Sequence, residues 1–533
     1  VPINRRLTVV ERAAPATRRL ARSTFLVMGA TLASTILGFA REVVYAKYFG
    51  ASWQLDAFLA AQTVPTILFG VFNGALVSAL VPIFSDYLAT EREDEAWRLG
   101  STLVIAVAAL LSCAAALGAW LAPAYVPLVA HFPPNRLAVT IEMTRWLMPT
   151  IVATSLSGIV AAMLNAHRKF AAAALQGVVL NVIVIACVSL GFAQYGVLSL
   201  VYGSILGFFA QLAVQLPAFF AMGKFRWTFD LKHPGLVRVF DMLGPIAIGS
   251  AAGQIAMFFD RYFASGLSEG SISGMNYAIK VVGFPQQIFV TAVATVIFPV
   301  FASQFALRNR NAMRRSIATG LSMVVFLTLP SAAGLIVLAE PIVRTLFERG
   351  AFTAEATQLC TSLLPYAAAG LVALAANVVL TRCTFACGQV RQTVAISVAT
   401  VILNVILSVV WLPALGARGL LLANTVSQTL QTVALGFVAW RLLGGFDLMG
   451  VLRSVLKVLG CSAIMVSGLL VVQWFEPPVG ANEVARIVSL GEHLAFGAAI
   501  FLGLARLVDA DEVHLAIAML VKRKAPPDLV PLP

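Results

Sequence analysis

Apolar runs of about 20 residues recur along nearly the whole chain, and each is long enough to cross the hydrocarbon layer of a bilayer as a helix. Inside lipid every backbone N–H and C=O must find its partner within the protein, so such runs, joined by short polar loops, fold as a helical bundle. About fourteen are read, at 24 to 47, 55 to 85, 99 to 125, 139 to 166, 174 to 194, 197 to 222, 238 to 265, 271 to 305, 314 to 338, 357 to 385, 391 to 413, 416 to 443, 452 to 475 and 487 to 508. Hydrophobic residues make up 60% and charged residues 11% of the 533 positions, which excludes a soluble core of this size. The expected fold class is therefore all-α and polytopic.

The net charge of +13 would suggest a nucleic-acid partner in a soluble protein. Here the basic residues fall between apolar runs and act as topology signals instead, so no nucleic-acid role is expected. With the N-terminus inside, about 27 Lys and Arg fall on the inner side against about 7 outside, which places both termini in the cytoplasm. The first run passes 20 residues without a small-residue cleavage site, so it reads as a retained span. The six cysteines lie mostly in or beside spans and read as small buried side chains. Cys383 and Cys387 are helically adjacent but lack a nearby His or acidic partner, so no metal is expected there.

Six ionisable residues stand in or at the edge of these spans: Arg41, Glu42, Asp56, Asp260, Arg261 and Lys280. A charge at membrane depth costs roughly 2.5 to 3.5 kcal/mol on insertion scales, so it faces a protein-lined or wet interior and carries either a charged ligand or a packing ion pair. At about 1.5 Å per residue, Arg41 lies roughly 9 Å and Lys280 roughly 13 Å from the outer ends of their spans. The cluster belongs to the outer half of the membrane. Asp241, near the inner end of the seventh span, is a weaker candidate for a cation.

The chain also repeats itself. Val178-Val-Leu-Asn181-Val-Ile183 recurs as Val401-Ile-Leu-Asn404-Val-Ile406, Val64-Pro65 and Val81-Pro82 have counterparts in Phe284-Pro285 and Phe298-Pro299, and Pro149 has one in Pro365. Three echoes in one order predict two six-span lobes in parallel repeat, related by an axis along the membrane normal. The expected parts are a basic segment at 1–23, an N-lobe at 24–222, a C-lobe at 223–445, a pair of extra spans within 446–510 and a cytoplasmic tail at 511–533. Pro65, Pro285, Pro149 and Pro365 are the candidate hinges.

Gly38-Phe-Ala-Arg41-Glu42, Phe49-Gly50-Ala51, Asp56-Ala-Phe58 and Val81-Pro82-Ile-Phe84 resemble the opening of the MurJ (MviN) lipid II flippases of the bacterial inner membrane. Asp260-Arg261-Tyr-Phe-Ala-Ser265, Gly270-Ser-Ile-Ser273, Tyr277-Ala278 and Phe284-Pro285 extend the resemblance, which covers about 500 residues in order. It implies a member of the multidrug, oligosaccharidyl-lipid and polysaccharide exporter superfamily that moves undecaprenyl-diphosphate-linked cell-wall precursor outward by alternating access. It further implies Arg41, Lys280, Arg261 and Asp56 as substrate contacts, with Glu42, Asp56 and Asp260 in gating or ion pairing, and a lipid-tail groove on the two extra spans. Membrane lipids and cell-wall synthesis proteins are the implied partners. Arginine suits a diphosphate because its planar fork holds two oxygens at once.

The chain departs from the family pattern at Ile67 to Ala75, where an Arg-Arg pair is common and no base stands here, and where Asn73 replaces an acid. Gly388 to Arg391 departs likewise from an aspartate and threonine. Another polyprenyl-linked oligosaccharide, or a drug exported against a cation, are the alternative cargoes. No phosphate loop, zinc pair or nucleophile triad is present, so a transporter rather than an enzyme is expected, without cofactor. Its drive would be a Na+ or H+ gradient or the membrane potential.

Overall fold

The computed structural model describes residues 4–223, 225–475, 482–508 and 512–513, with the backbone alone for 4–25, 71–73, 75 and scattered positions within 245–296. The side chains of the basic N-terminal segment, that of Asn73, and nearly all of the tail at 511–533 therefore lie outside the described residues. The described residues are mostly helical, with no strand among them. Two compact units divide the chain at Gly266 and Leu267.

The first unit holds α1 (Asn4–Phe49), α2 (Trp53–Ala61), α3 (Thr63–Ala89), α4 (Glu93–Val129), α5 (Pro134–Leu147), α6 (Thr150–Ala166), α7 (Phe170–Tyr195), α8 (Leu198–Ala213), α9 (Leu216–Phe220) and α10 (Pro234–Ser265). The second holds α11 (Ser271–Pro285), α12 (Thr291–Ala306), α13 (Arg310–Val337), α14 (Ala339–Phe347), α15 (Ala354–Ala369) and α16 (Leu371–Ala386). It continues through α17 (Val390–Leu415), α18 (Ala417–Leu443), α19 (Leu448–Phe475) and α20 (Glu483–Leu507). Ten stretches among the described residues are long and apolar enough to cross a membrane. The runs at 55–85 and 271–305 are each divided, the first at Gln62 between α2 and α3, the second by a π-turn at Gln286–Val290 between α11 and α12.

The prolines account for these joints unequally. Pro65 follows the Gln62 break by three residues and Pro285 ends α11 directly before the π-turn, the places where a missing N–H and a crowded ring loosen the helical ladder. Pro149 caps α6 at its break from α5. Pro365 lies inside α15, and the break there comes five residues later at Gly370.

The turns carry the internal repeat more plainly than the spans do. Left-handed backbone stands at Gly50, Glu91, Arg168 and Gly223, and again about 220 residues later at Gly270, Arg308, Gly388 and Gly444. Gly196 and Gly416 share a further uncommon conformation, with φ 53, ψ −128 and φ 57, ψ −135. These two glycines precede α8 and α18, where a side chain would strain the reversal.

Each unit has its own core. In the first, Leu80 and Phe84 of α3, Trp97 and Leu99 of α4, and Ile159 and Met163 of α6 pack together. In the second, Phe301 of α12, Ile317 and Val324 of α13, Val379 of α16 and Leu435 of α18 do the same. The seventh span, α10, packs on α3 and so groups with the first unit. Helix approach in lipid depends on small residues rather than on water exclusion. At Gly419 of α18 an added Cβ would stand 2.8 Å from the Trp411 carbonyl oxygen and 3.0 Å from its carbon on α17, atoms of a backbone that cannot step aside. Gly419→Ala is therefore expected to cost about 1 to 3 kcal/mol by overpacking. A melting temperature in detergent equal to that of the wild type would remove this reading of the α17–α18 contact.

Candidate functional site: a buried charge cluster on α1, α2 and α10

Arg41 and Glu42 lie on the last third of α1, and their side chains pair with each other, Nη2 to Oε1 at 3.0 Å. Neighbours in sequence rarely face one another on a helix, and they meet here because the long guanidinium stem curls back toward the shorter acid. One turn on, the Tyr45 ring lies under the guanidinium, 5.7 Å from Cζ, and its edge meets Phe58 of α2 at 6.1 Å. The Glu42 side chain is 4% exposed against 22% for Arg41, so the acid is sealed and the base keeps an open side. Arg41 Nε is buried with no partner in the protein. A cation held at one end by a buried acid, with donors to spare, is suited to an anionic ligand.

Asp56 sits in the first turn of α2, where partial positive charge on the free N–H groups favours a carboxylate, and it is buried. Six residues later, at Gln62, the helix breaks. Arg261 of α10 reaches this joint: its Nη1 donates to the Leu59 carbonyl and to Thr63 Oγ1, the latter at 3.4 Å. The Thr63 hydroxyl itself donates to Leu59 at 3.0 Å. Polar groups at such a break have no water to turn to in lipid, and a guanidinium with five donors meets that need. The charges that act on Arg261 come from Glu42, Asp260 and Asp56, which gathers α1, α2 and α10 around one locus.

Five of the six expected residues thus belong to one cluster in the first unit: Arg41, Glu42, Asp56, Asp260 and Arg261. Lys280 belongs to the second unit, where it is exposed on α11 and engaged in contacts of its own. Asp241 is exposed near the start of α10. Among the described residues no group of three His, Cys, Asp or Glu side chains is placed to hold a metal. Glu142 and Arg145 are exposed on α5.

Two participants escaped the reading of the sequence. Tyr45 carried a usable signal, since it follows Arg41 by four residues and so shares its face. Thr63 carried none, because its role comes from a break whose position only the folded joint reveals. Nearby, Gln254 of α10 fills the space beside Gly70 of α3, where an added Cβ would meet its amide nitrogen at 2.5 Å. This is the stretch that carries no base, and a glutamine from another helix occupies the room a side chain would take.

The family described as "Lipid II flippase MurJ" matches residues 45–487. A lipid II flippase MurJ of Burkholderia cenocepacia is 27% identical over 503 residues, 91% of this chain and 96% of the relative. A probable lipid II flippase MurJ of Vibrio cholerae is 31% identical over 440 residues, 78% of this chain and 82% of the relative. Among solved structures, a lipid II flippase MurJ in an inward closed conformation superposes with a TM-score of 0.78 at 24% identity, covering 91% of this chain and 99% of that one. An inward-facing multidrug resistance MATE transporter of the MOP superfamily reaches 0.69 at 12% identity, covering 79% and 98%. The fold is shared with both, but only the first kinship also extends to sequence over most of the length, and the chain belongs to the MurJ family of lipid II flippases.

Proposed function

We propose that this protein carries lipid II, an undecaprenyl-diphosphate-linked peptidoglycan precursor, from the inner to the outer leaflet of the bacterial cytoplasmic membrane by alternating access. The observation that supports this most is the family match over residues 45–487. The charge cluster supplies a physical reason. A diphosphate cannot cross hydrocarbon unaided, while its polyprenyl tail stays in lipid, so the protein has to provide charge for the headgroup only.

In this reading Arg41 is the headgroup contact, and Lys280 meets the same ligand as a point charge rather than as a fork. Arg261, Asp56, Glu42 and Asp260 set the geometry and charge around Arg41. Both termini lie in the cytoplasm, α19 and α20 serve the lipid tail, and the lobes are the two sequence repeats. Transport draws on an ion gradient or the membrane potential.

Complementation tests the reading. Expression in a bacterium whose own lipid II flippase is depleted is expected to restore growth and normal shape. Failure to rescue at normal membrane levels would assign the chain to another polyprenyl-linked oligosaccharide, the cargo that the missing bases at 67 to 75 would favour.

A further inference from the structure

The segment that joins α9 to α10 leaves its apolar side chains uncovered. Trp227 is 83%, Phe229 57% and Leu231 58% exposed, in a stretch that is not helical. They stand at alternate positions of a tightly turned stretch, the Thr228 N–H donating back to the Arg226 carbonyl at 2.7 Å and the His233 N–H to the Asp230 carbonyl at 3.3 Å. The segment is not loose. The Thr102 hydroxyl of α4 donates to the Thr228 carbonyl at 3.4 Å and accepts the Asp230 N–H at 3.1 Å, and Thr102 is wholly buried. Phe225 anchors one end against Phe219 and Phe220, with ring centroids at 5.4 and 6.2 Å. His233 closes the other end by accepting the Gly235 N–H at 3.1 Å as the cap of α10.

Bases surround the uncovered rings. Arg226 and Lys232 are exposed within the segment, and Arg168 and Lys169 are exposed beside it, Lys169 donating to the Ala218 carbonyl of α9 at 3.4 Å. The one acid in the segment, Asp230, is turned to its own chain, its carboxylate accepting the Lys232 N–H at 3.1 Å. The segment directly follows the candidate span Leu198–Phe220, and the sequence reads a further span from 238, so this reading sets it where a bilayer ends. Trp rings in that position settle among lipid headgroups, and nearby Lys and Arg are drawn to anionic ones.

We propose that residues 225–232 form an interfacial anchor that seats the start of α10 on the anionic headgroups of the leaflet its basic loops face. The occupant is a bilayer surface rather than a protein. A protein partner for these rings would also have to accommodate the exposed bases Arg168, Lys169, Arg226 and Lys232, whereas an anionic leaflet answers both features together. The inference is independent of the cargo, since it concerns the lipid around the protein.

The test uses the full chain labelled with 5-fluorotryptophan in nanodiscs, the resonance of Trp227 being identified by its loss in Trp227→Phe. With phosphatidylglycerol present, a nitroxide high on the lipid acyl chain is expected to broaden this resonance at least three times as strongly as a water-soluble gadolinium chelate. In pure phosphatidylcholine, or in Arg226→Gln/Lys232→Gln, the preference is expected to fall by half or more. Stronger broadening by the chelate would overturn the proposal. So would insensitivity to both reagents, which would mean that protein covers the ring, and so would lipid contact unchanged by removing the phosphatidylglycerol or the bases.

Discussion

Arg41→Ala is expected to end translocation. Cells that depend on this chain should stop growing, and lipid II should stay in the inner leaflet, while Arg41→Lys should leave a fraction of the activity because it keeps the charge and loses the fork. The expectation rests on the open side of the guanidinium, which stays 22% exposed while its acid partner is sealed. A second effect has to be separated from the first. Without Arg41 the Glu42 carboxylate is left buried beside no base on its own helix, and breaking a buried pair from one side costs about 3 to 5 kcal/mol. The double variant Arg41→Ala/Glu42→Gln removes both charges and should bring membrane levels back without bringing back transport. Growth supported by that double variant would mean that Arg41 serves only as a partner for Glu42.

Arg261→Ala should be as damaging by a different route. It strips the Leu59 carbonyl of its guanidinium donor at the α2–α3 joint and leaves Glu42, Asp56 and Asp260 with Arg41 as the remaining base of the cluster. The loss expected is again about 3 to 5 kcal/mol, read as a lower melting temperature and lower membrane level together with lost growth. Thr63→Val, which removes only the hydroxyl of the same joint, should cost about 1 kcal/mol. Arg261→Lys should recover most of the stability, since a point charge still answers the three acids. An Arg261→Ala protein as stable as the wild type would leave Arg261 as a ligand contact and not a brace.

The class of the fold and its duplication were readable because both are written in composition and spacing: the apolar runs state the membrane, and the echo of Asn181 in Asn404 states the repeat. The ion pair between Arg41 and Glu42 was within reach for the same reason, both residues being local. The bond from Arg261 to Leu59 spans 202 residues and answers a helix break, and neither the distance nor the break is recorded in local pattern. The grouping of α10 with the first unit was hidden too. Apolar periodicity says that a helix will pack, but in lipid nearly any face can pack, and close fit against α3 decides which one does.

At two of the joints, the halves of this chain share a torsion angle where their residues differ. Where the first copy bends left-handed through Arg168 the second does so through Gly388, and where Glu91 turns Arg308 turns. Arginine and glutamate accept that conformation only at a cost, so at these positions the geometry of the hairpin, and not the preference of its residue, sets the backbone. A joint of this kind is better recognised by its φ than by its residue, and a fold can be shared over 91% of the chain at 24% identity.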